Sequence, residues 1–312
     1  MSAPSDQAAP VASAPAPGAP VTNARVTSDP EVLAVAARYT LAGRPPRAAG
    51  AAGERLGRAA GAGLEFREHR RYRPGDDVRH LDWAVFARTD QPTVRVFLEE
   101  VSRETAVWLD GSASMGCDVE KSRLARLLAA ACWRIAADAG DRPTWHLLSE
   151  TERPTPRGRR IDDLDESAGS LFTGRATLAD LATGRGLPAT GRGVRLIVSD
   201  FLFPHDPGAL VRSLCRGADA TTLIQGLSPF EANPPTTGGR RLTDPERDEA
   251  AEVTLDGPAV AGYRARLRAL TDGLARACRA RGAAFATVVA GSSLEEVVRG
   301  SLLPAGALGV RG

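Results

Sequence analysis

The chain has 312 residues, enough for one large domain or two modest ones around a real hydrophobic core. Apolar residues make up 43% and charged residues 25%, which is ordinary globular chemistry. The 40 basic and 38 acidic side chains leave a formal net charge of +2, so the chain as a whole offers no case for a nucleic-acid or membrane surface.

Residues 1–24 are rich in Ala, Pro, Ser and Gly and almost uncharged, the composition of a disordered tail. The N-terminus has neither the basic flank nor the apolar segment of a secretory signal. The longest apolar stretch, residues 127–137, is too short to cross a bilayer and is broken by Arg134. A soluble, cytoplasmic protein without a membrane span is therefore expected. Pro30–Arg38 has the pattern of a short helix, whereas residues 44–63, rich in Ala, Gly and Arg, read as a loosely packed approach to the fold. Residues 64–104 interleave dense charge with aromatic rings, and Thr93–Glu99 reads as a strand.

From Thr105 onward, strands and helices alternate. The strands are Thr105–Asp110, Thr144–Leu148, Gly193–Ser199, Thr222–Leu227 and Ala284–Val289. Helical patterns cover Val119–Ala139, Thr177–Ala182, Pro207–Arg216 and Val260–Arg281, with a closing helix from Leu294. This order predicts an α/β fold, Rossmann-like, with a mostly parallel sheet and helices on both faces. Residues 231–250, rich in Pro, Gly and charge, read as a surface excursion. Cys132 and Cys278 fall in apolar helical patterns and read as buried free thiols. The four scattered histidines argue against a zinc site. Lys121 is the only lysine, which reads mainly as compositional bias.

Ligands of an open parallel sheet bind outside the carboxyl ends of its strands. Asp110 and Asp200 both end predicted strands. The first continues as Asp110-Gly-Ser112-Ala-Ser114-Met-Gly, whose spacing lets three hard oxygen donors converge. With Thr177 and Asp200 as further contributors, such donors suit Mg²⁺ rather than zinc or copper. The alternative from chemistry alone is that Asp110 and Ser112 merely cap a turn or helix. Asp110 is expected to be a partly exposed turn carboxylate.

Asp110-x-Ser112-x-Ser114 after a buried strand, with Thr177 and Asp200 downstream, resembles the metal-ion-dependent adhesion site of von Willebrand factor type A domains. The segment Arg73-Pro-Gly-Asp-Asp-Val-Arg-His-Leu-Asp-Trp83, continuing to Ala87-Arg88, resembles the hallmark of the DUF58 family, often encoded beside MoxR-type AAA+ ATPases. Ser199-Asp200-Phe201 and the tail from Leu294 to Leu303 extend the likeness over roughly residues 60–305. The resemblance implies a tail over residues 1–24, an N-terminal DUF58-type region over 25–104 and a type A-like domain over 105–305.

It also implies Mg²⁺ or Mn²⁺ held by Asp110, Ser112, Ser114, Thr177 and Asp200, weakly without a partner whose acidic side chain completes the shell. Gly174-Arg-Ala-Thr177 departs from the commoner glycine pair before the threonine, which makes Thr173 a competing ligand. Many relatives carry N-terminal membrane helices, and the lack of one here points to a soluble branch. The implied function is a non-enzymatic, cation-dependent adaptor whose partner is a MoxR-type AAA+ ATPase or its client.

Within Arg70–Arg88, Arg79 and Asp82 are expected to pair and orient the N-terminal region, with Trp83 supplying an apolar contact; the other reading is a partner-gripping face. Two rival functions follow from other features. Ser112-Ala-Ser114-Met-Gly116 is one substitution from a G-x-S-x-G nucleophile elbow, and Asp200 and His205 follow in hydrolase order, but five residues between them leave the histidine no loop of its own. A scaffold with a vestigial metal site is the second rival. No glycine-rich phosphate loop opens a helix.

Overall fold

The structure, a computed structural model, describes residues 25–42, 64–76, 78–99, 103–149, 164–165, 171–184, 187–188, 192–246 and 249–311. Residues 1–44 and 103–312 make one unit, and residues 45–102 a second. The larger unit begins with α1, Pro30–Arg38, where Asp29 caps the backbone N–H of Glu31 and Pro30 occupies a position that needs no N–H donor. Val32, Val35 and Ala36 make its buried stripe, and β1, Tyr39–Leu41, follows.

In the smaller unit β2, Leu64–Arg71, pairs antiparallel with β3, Thr93–Glu99. Between them in sequence lies α2, Trp83–Thr89. Asp82 caps α2 through Ala84 and Val85, and its second oxygen meets His69 Nε2 at 3.0 Å. Trp83 is the first residue of α2, and its ring meets Phe86 edge-on at 6.2 Å.

The larger unit resumes with β4, Glu104–Asp110, and continues through α3, Val119–Asp138, and β5, Arg142–Leu148. Next come α4, Leu178–Thr183, β6, Gly193–Ser199, α5, Pro207–Leu214, β7, Ala220–Leu227, and α6, Pro229–Ala232. The excursion at residues 231–250 contains most of an antiparallel hairpin of β8, Gly238–Asp244, and β9, Glu249–Leu255. Then α7, Gly257–Arg279, β10, Ala284–Val289, α8, Leu294–Val297, and β11, Leu308–Val310, complete the chain.

Five strands form the parallel sheet in the order β10-β7-β6-β4-β5. Along β4, Val107 and Leu109 join the core shared with α1, α3 and α8, while Ala106 and Trp108 join the core shared with α4, α5 and α7. That alternation is the pleat of a strand covered on both faces. Each fully buried Leu contributes about 1.5–3 kcal/mol relative to exposure, so Leu127 and Leu128 on one side and Leu210 and Leu214 on the other anchor the layers. The smaller unit covers residues 45–102 and not the whole of 25–104. Residues 25–42 belong with the sheet, because α1 buries its stripe in the α3 core and β1 pairs antiparallel with β11. Among the described residues no helix is long and apolar enough to cross a membrane.

Candidate functional site

Sheet order reverses at β4, whose sequence neighbours β5 and β6 lie on its opposite sides. The crevice beyond the carboxyl ends of β4 and β6 is therefore the topological switch point, where ligands bind in such sheets. Asp110 ends β4 and Asp200 directly follows β6. Here Asp110 is fully buried, not the partly exposed turn residue expected. One of its oxygens accepts the Ser112 N–H at 2.9 Å, and the other accepts the Ser199 hydroxyl at 2.5 Å. Burial first, and the charge of Asp200 second, push its carboxyl up to about 6 against those hydrogen bonds.

Beyond Asp110 the chain turns through Gly111 into the short 3₁₀ turn Ala113–Gly116, and Asp118 then caps α3. The turn sets Ser112 Oγ and Ser114 Oγ 3.2 Å apart. A second loop locks against it: Gly174 N–H donates to the Gly111 carbonyl at 2.9 Å, and Ala113 N–H to the Gly174 carbonyl at 2.8 Å. Glycine is needed on both sides of this contact. A Cβ at Gly174 would lie 2.9 Å from the Gly111 oxygen, and one at Gly111 3.0 Å from the Leu171 oxygen.

The loop from Gly174 carries Thr177, but its hydroxyl is engaged as the cap of α4. It donates to Asp180 at 2.8 Å and accepts the Asp180 N–H at 3.3 Å. Thr173, the competing candidate, is exposed. Thus Asp110, Ser112 and Ser114 share one turn and Asp200 stands beside it, while the hydroxyl of Thr177 belongs to its own helix cap.

Asp200 is as buried as Asp110. One oxygen accepts the Leu202 N–H at 3.0 Å, and its carbonyl accepts Gln225 Nε2 at 3.0 Å. The backbone reverses at Phe201, which holds the left-handed φ of 55° with its ring in the core. The other Asp200 oxygen accepts Lys121 Nζ at 2.8 Å. This is the lone lysine, buried in the first turn of α3, and its ammonium also donates to Glu231 at 2.7 Å and to the Ser114 carbonyl at 3.1 Å. Burial alone would lower its pKa. The charges of Asp200 and Glu231 outweigh that and hold it above the ordinary lysine value.

A fourth carboxylate completes the surroundings: Glu246, in the turn between β8 and β9, accepts the Ser114 N–H at 3.0 Å. Sequence reading missed Lys121, Glu231 and Glu246. The one available signal was a single lysine in a chain whose other basic residues are all arginine or histidine.

The donor set suits a small hard cation. Mg²⁺–O distances of about 2.0–2.1 Å put neighbouring oxygens of an octahedron about 2.9 Å apart, close to the spacing of the two serine hydroxyls. Asp200 and Glu231 share the ammonium of Lys121, while Asp110 and Glu246 are held by neutral donors, the Ser112 N–H, the Ser199 hydroxyl and the Ser114 N–H. Among the described residues no three His, Cys, Asp or Glu side chains converge in a metal-holding group, so an ion here has to use the serine hydroxyls. Ser112 and Ser114 would hold it with Asp110, while Asp200 lends charge already shared with Lys121.

Comparison with known proteins places this geometry in context. The family described as "Protein of unknown function DUF58" matches residues 68–271. Uncharacterized proteins of Mycobacterium bovis and Mycobacterium tuberculosis are 31% identical over 253 residues, covering 77% of this chain and 75% of theirs. The crystal structure of an aerotolerance-related membrane protein from Bacteroides fragilis, with multiple mutations to serines, aligns at 15% identity and a TM-score of 0.29. That alignment covers 56% of this chain and all of the other, and a TM-score of this size establishes no shared fold.

Proposed function

We propose that this chain, which belongs to the DUF58 family, is a non-enzymatic adaptor that grips an acidic partner through a divalent cation, Mg²⁺ or Mn²⁺, held by Asp110, Ser112 and Ser114. The observation that carries the reading is the pair of serine hydroxyls 3.2 Å apart beside a buried carboxylate at the switch point of the sheet. The same sheet and Asp-x-Ser-x-Ser turn support a von Willebrand factor type A-like assignment for this unit. A cation so held has largely neutral direct ligands and offers an open position to an aspartate or glutamate from another protein.

The chain's own groups prepare that position. Ser199 and the Ser112 N–H fix both oxygens of Asp110, and Lys121 fixes Asp200. Because displacing water from Mg²⁺ is costly, the contact becomes favourable only when surrounding surface docks as well. The family resemblance suggests as partner a MoxR-type AAA+ ATPase or the client it remodels, in the cytoplasm.

A serine hydrolase is less well supported. The serine hydroxyls meet each other, while His205 Nδ1 lies 2.7 Å from the Phe203 carbonyl and its buried Nε2 has no partner among the described residues. A carbonyl only accepts, so Nδ1 carries the proton and is spent.

The test is surface-immobilised binding of a companion MoxR-type ATPase and its clients, with Mg²⁺ and with chelator. Chelation, or Ser112→Ala/Ser114→Ala in a chain that keeps its circular dichroism, is expected to weaken binding at least about tenfold, or about 1.4 kcal/mol. Unchanged affinity would leave a scaffold with a vestigial site.

A further inference from the structure

Among the described residues the β8–β9 hairpin pairs with no strand other than its own. Nearly all of its strand residues are exposed, and among them only Leu255, at the far end, is buried. An isolated two-stranded ribbon of this kind is marginal in water. Its tip nonetheless folds onto the site. Asp244 accepts the Glu246 N–H at 3.0 Å, which shapes the turn, and Glu246 Oε1 then accepts the Ser114 N–H at 3.0 Å.

Electrostatics makes that placement informative. Asp110 and Asp200 already put two carboxylates there, and the ammonium of Lys121 is spent on Ser114, Asp200 and Glu231. Glu246 reaches the backbone of Ser114 with that one neutral N–H as its donor at the site. A carboxylate held by a neutral donor keeps its negative charge, which a divalent cation beside the serine hydroxyls would balance.

We propose that Glu246 is an internal ligand of the cation site: its carboxylate takes the position that an acidic residue of a partner would take, so hairpin and partner compete for it. This rests on the cation reading of Asp110, Ser112 and Ser114. The hairpin then acts as a tethered plug. The free protein holds its ion more firmly than hydroxyl ligands alone would allow, and an acidic partner engages by lifting the hairpin away.

The experiment uses Mn²⁺ as the probe and electron paramagnetic resonance of free Mn²⁺ as the readout. The full-length wild type, Glu246→Gln and Ser112→Ala/Ser114→Ala are compared. Tryptic cleavage at Arg241, within the hairpin, is followed in parallel with and without Mn²⁺. The expected result is Mn²⁺ binding about tenfold weaker in Glu246→Gln than in the wild type, with Mn²⁺ slowing cleavage of the wild-type hairpin only.

If the wild type binds Mn²⁺, the serine double variant does not, and Glu246→Gln matches the wild type in affinity and protection, the internal-ligand proposal is overturned while the cation site stands. If the serine double variant binds like the wild type, or the wild type does not bind, the cation site itself fails and this proposal with it.

Discussion

Lys121 gives the sharpest perturbation. Replacing it with methionine keeps most of the side-chain volume but removes an ammonium that is 1% exposed and holds Asp200, also 1% exposed, at 2.8 Å and Glu231 at 2.7 Å. Removing one partner of a buried pair leaves an uncompensated charge, a loss of about 3–5 kcal/mol. Glu231 retains 20% exposure and can rehydrate, so the lower half of that range is expected.

The Ser114 carbonyl also loses a donor beside the Asp-x-Ser-x-Ser turn. Urea unfolding at pH 7, followed by circular dichroism and tryptophan fluorescence, measures the loss. Adding Asp200→Asn to Lys121→Met should recover part of it, because the orphaned charge is then gone. Stability of Lys121→Met within about 0.5 kcal/mol of the wild type would refute the claim that this ammonium neutralises a dry site.

Other expectations follow from the same geometry. Glu31 accepts the Leu294 N–H at 2.6 Å and Arg123 at 2.8 Å, and these contacts hold its carboxyl below the usual value of 4.5. A lowered folded-state pKa gives stability that is present above the unfolded value and lost as pH falls through the folded one. Glu31→Gln should therefore cost about 1–2 kcal/mol in urea unfolding at pH 7, with the gap narrowing as pH drops below 4.5. An equal gap at pH 7 and at pH 3 would contradict this. Gly174→Ala drives a Cβ to 2.9 Å from the Gly111 oxygen and should cost about 1–3 kcal/mol, whereas Gly300→Ala, with nothing within 4 Å, should be close to neutral in the same assay. Comparable losses for the two would remove the tight loop contact from the account.

The sheet was legible because its signals are local. Runs such as Val194-Arg-Leu-Ile-Val-Ser199 are too apolar for a half-exposed strand, and each is followed by a helix whose cap is written beside it, Asp118 before α3 and Asp206 before α5. Asp110 and Asp200 were legible for the same reason, as acids ending apolar runs. The depth of Asp110 was not. Serines beside it suggest a solvated turn, and its burial depends on Ser199, 89 residues away.

Lys121 and Glu246 were hidden by long-range contacts of the same sort. A lysine in the first turn of a helix reads as solvated until Asp200 and Glu231, 79 and 110 residues on, close over it. Glu246 lies in a segment that resembled a plain surface excursion, and only the path of the hairpin brings it to Ser114.

The central claim is that the hydroxyl pair beside Asp110 holds a divalent cation, and calorimetric titration of Mg²⁺ tests it most directly. The protein should bind the ion with measurable heat, and Ser112→Ala/Ser114→Ala, which keeps every carboxylate and Lys121, should lose that heat while unfolding at the same urea concentration. Equal heats from the two proteins would contradict the claim.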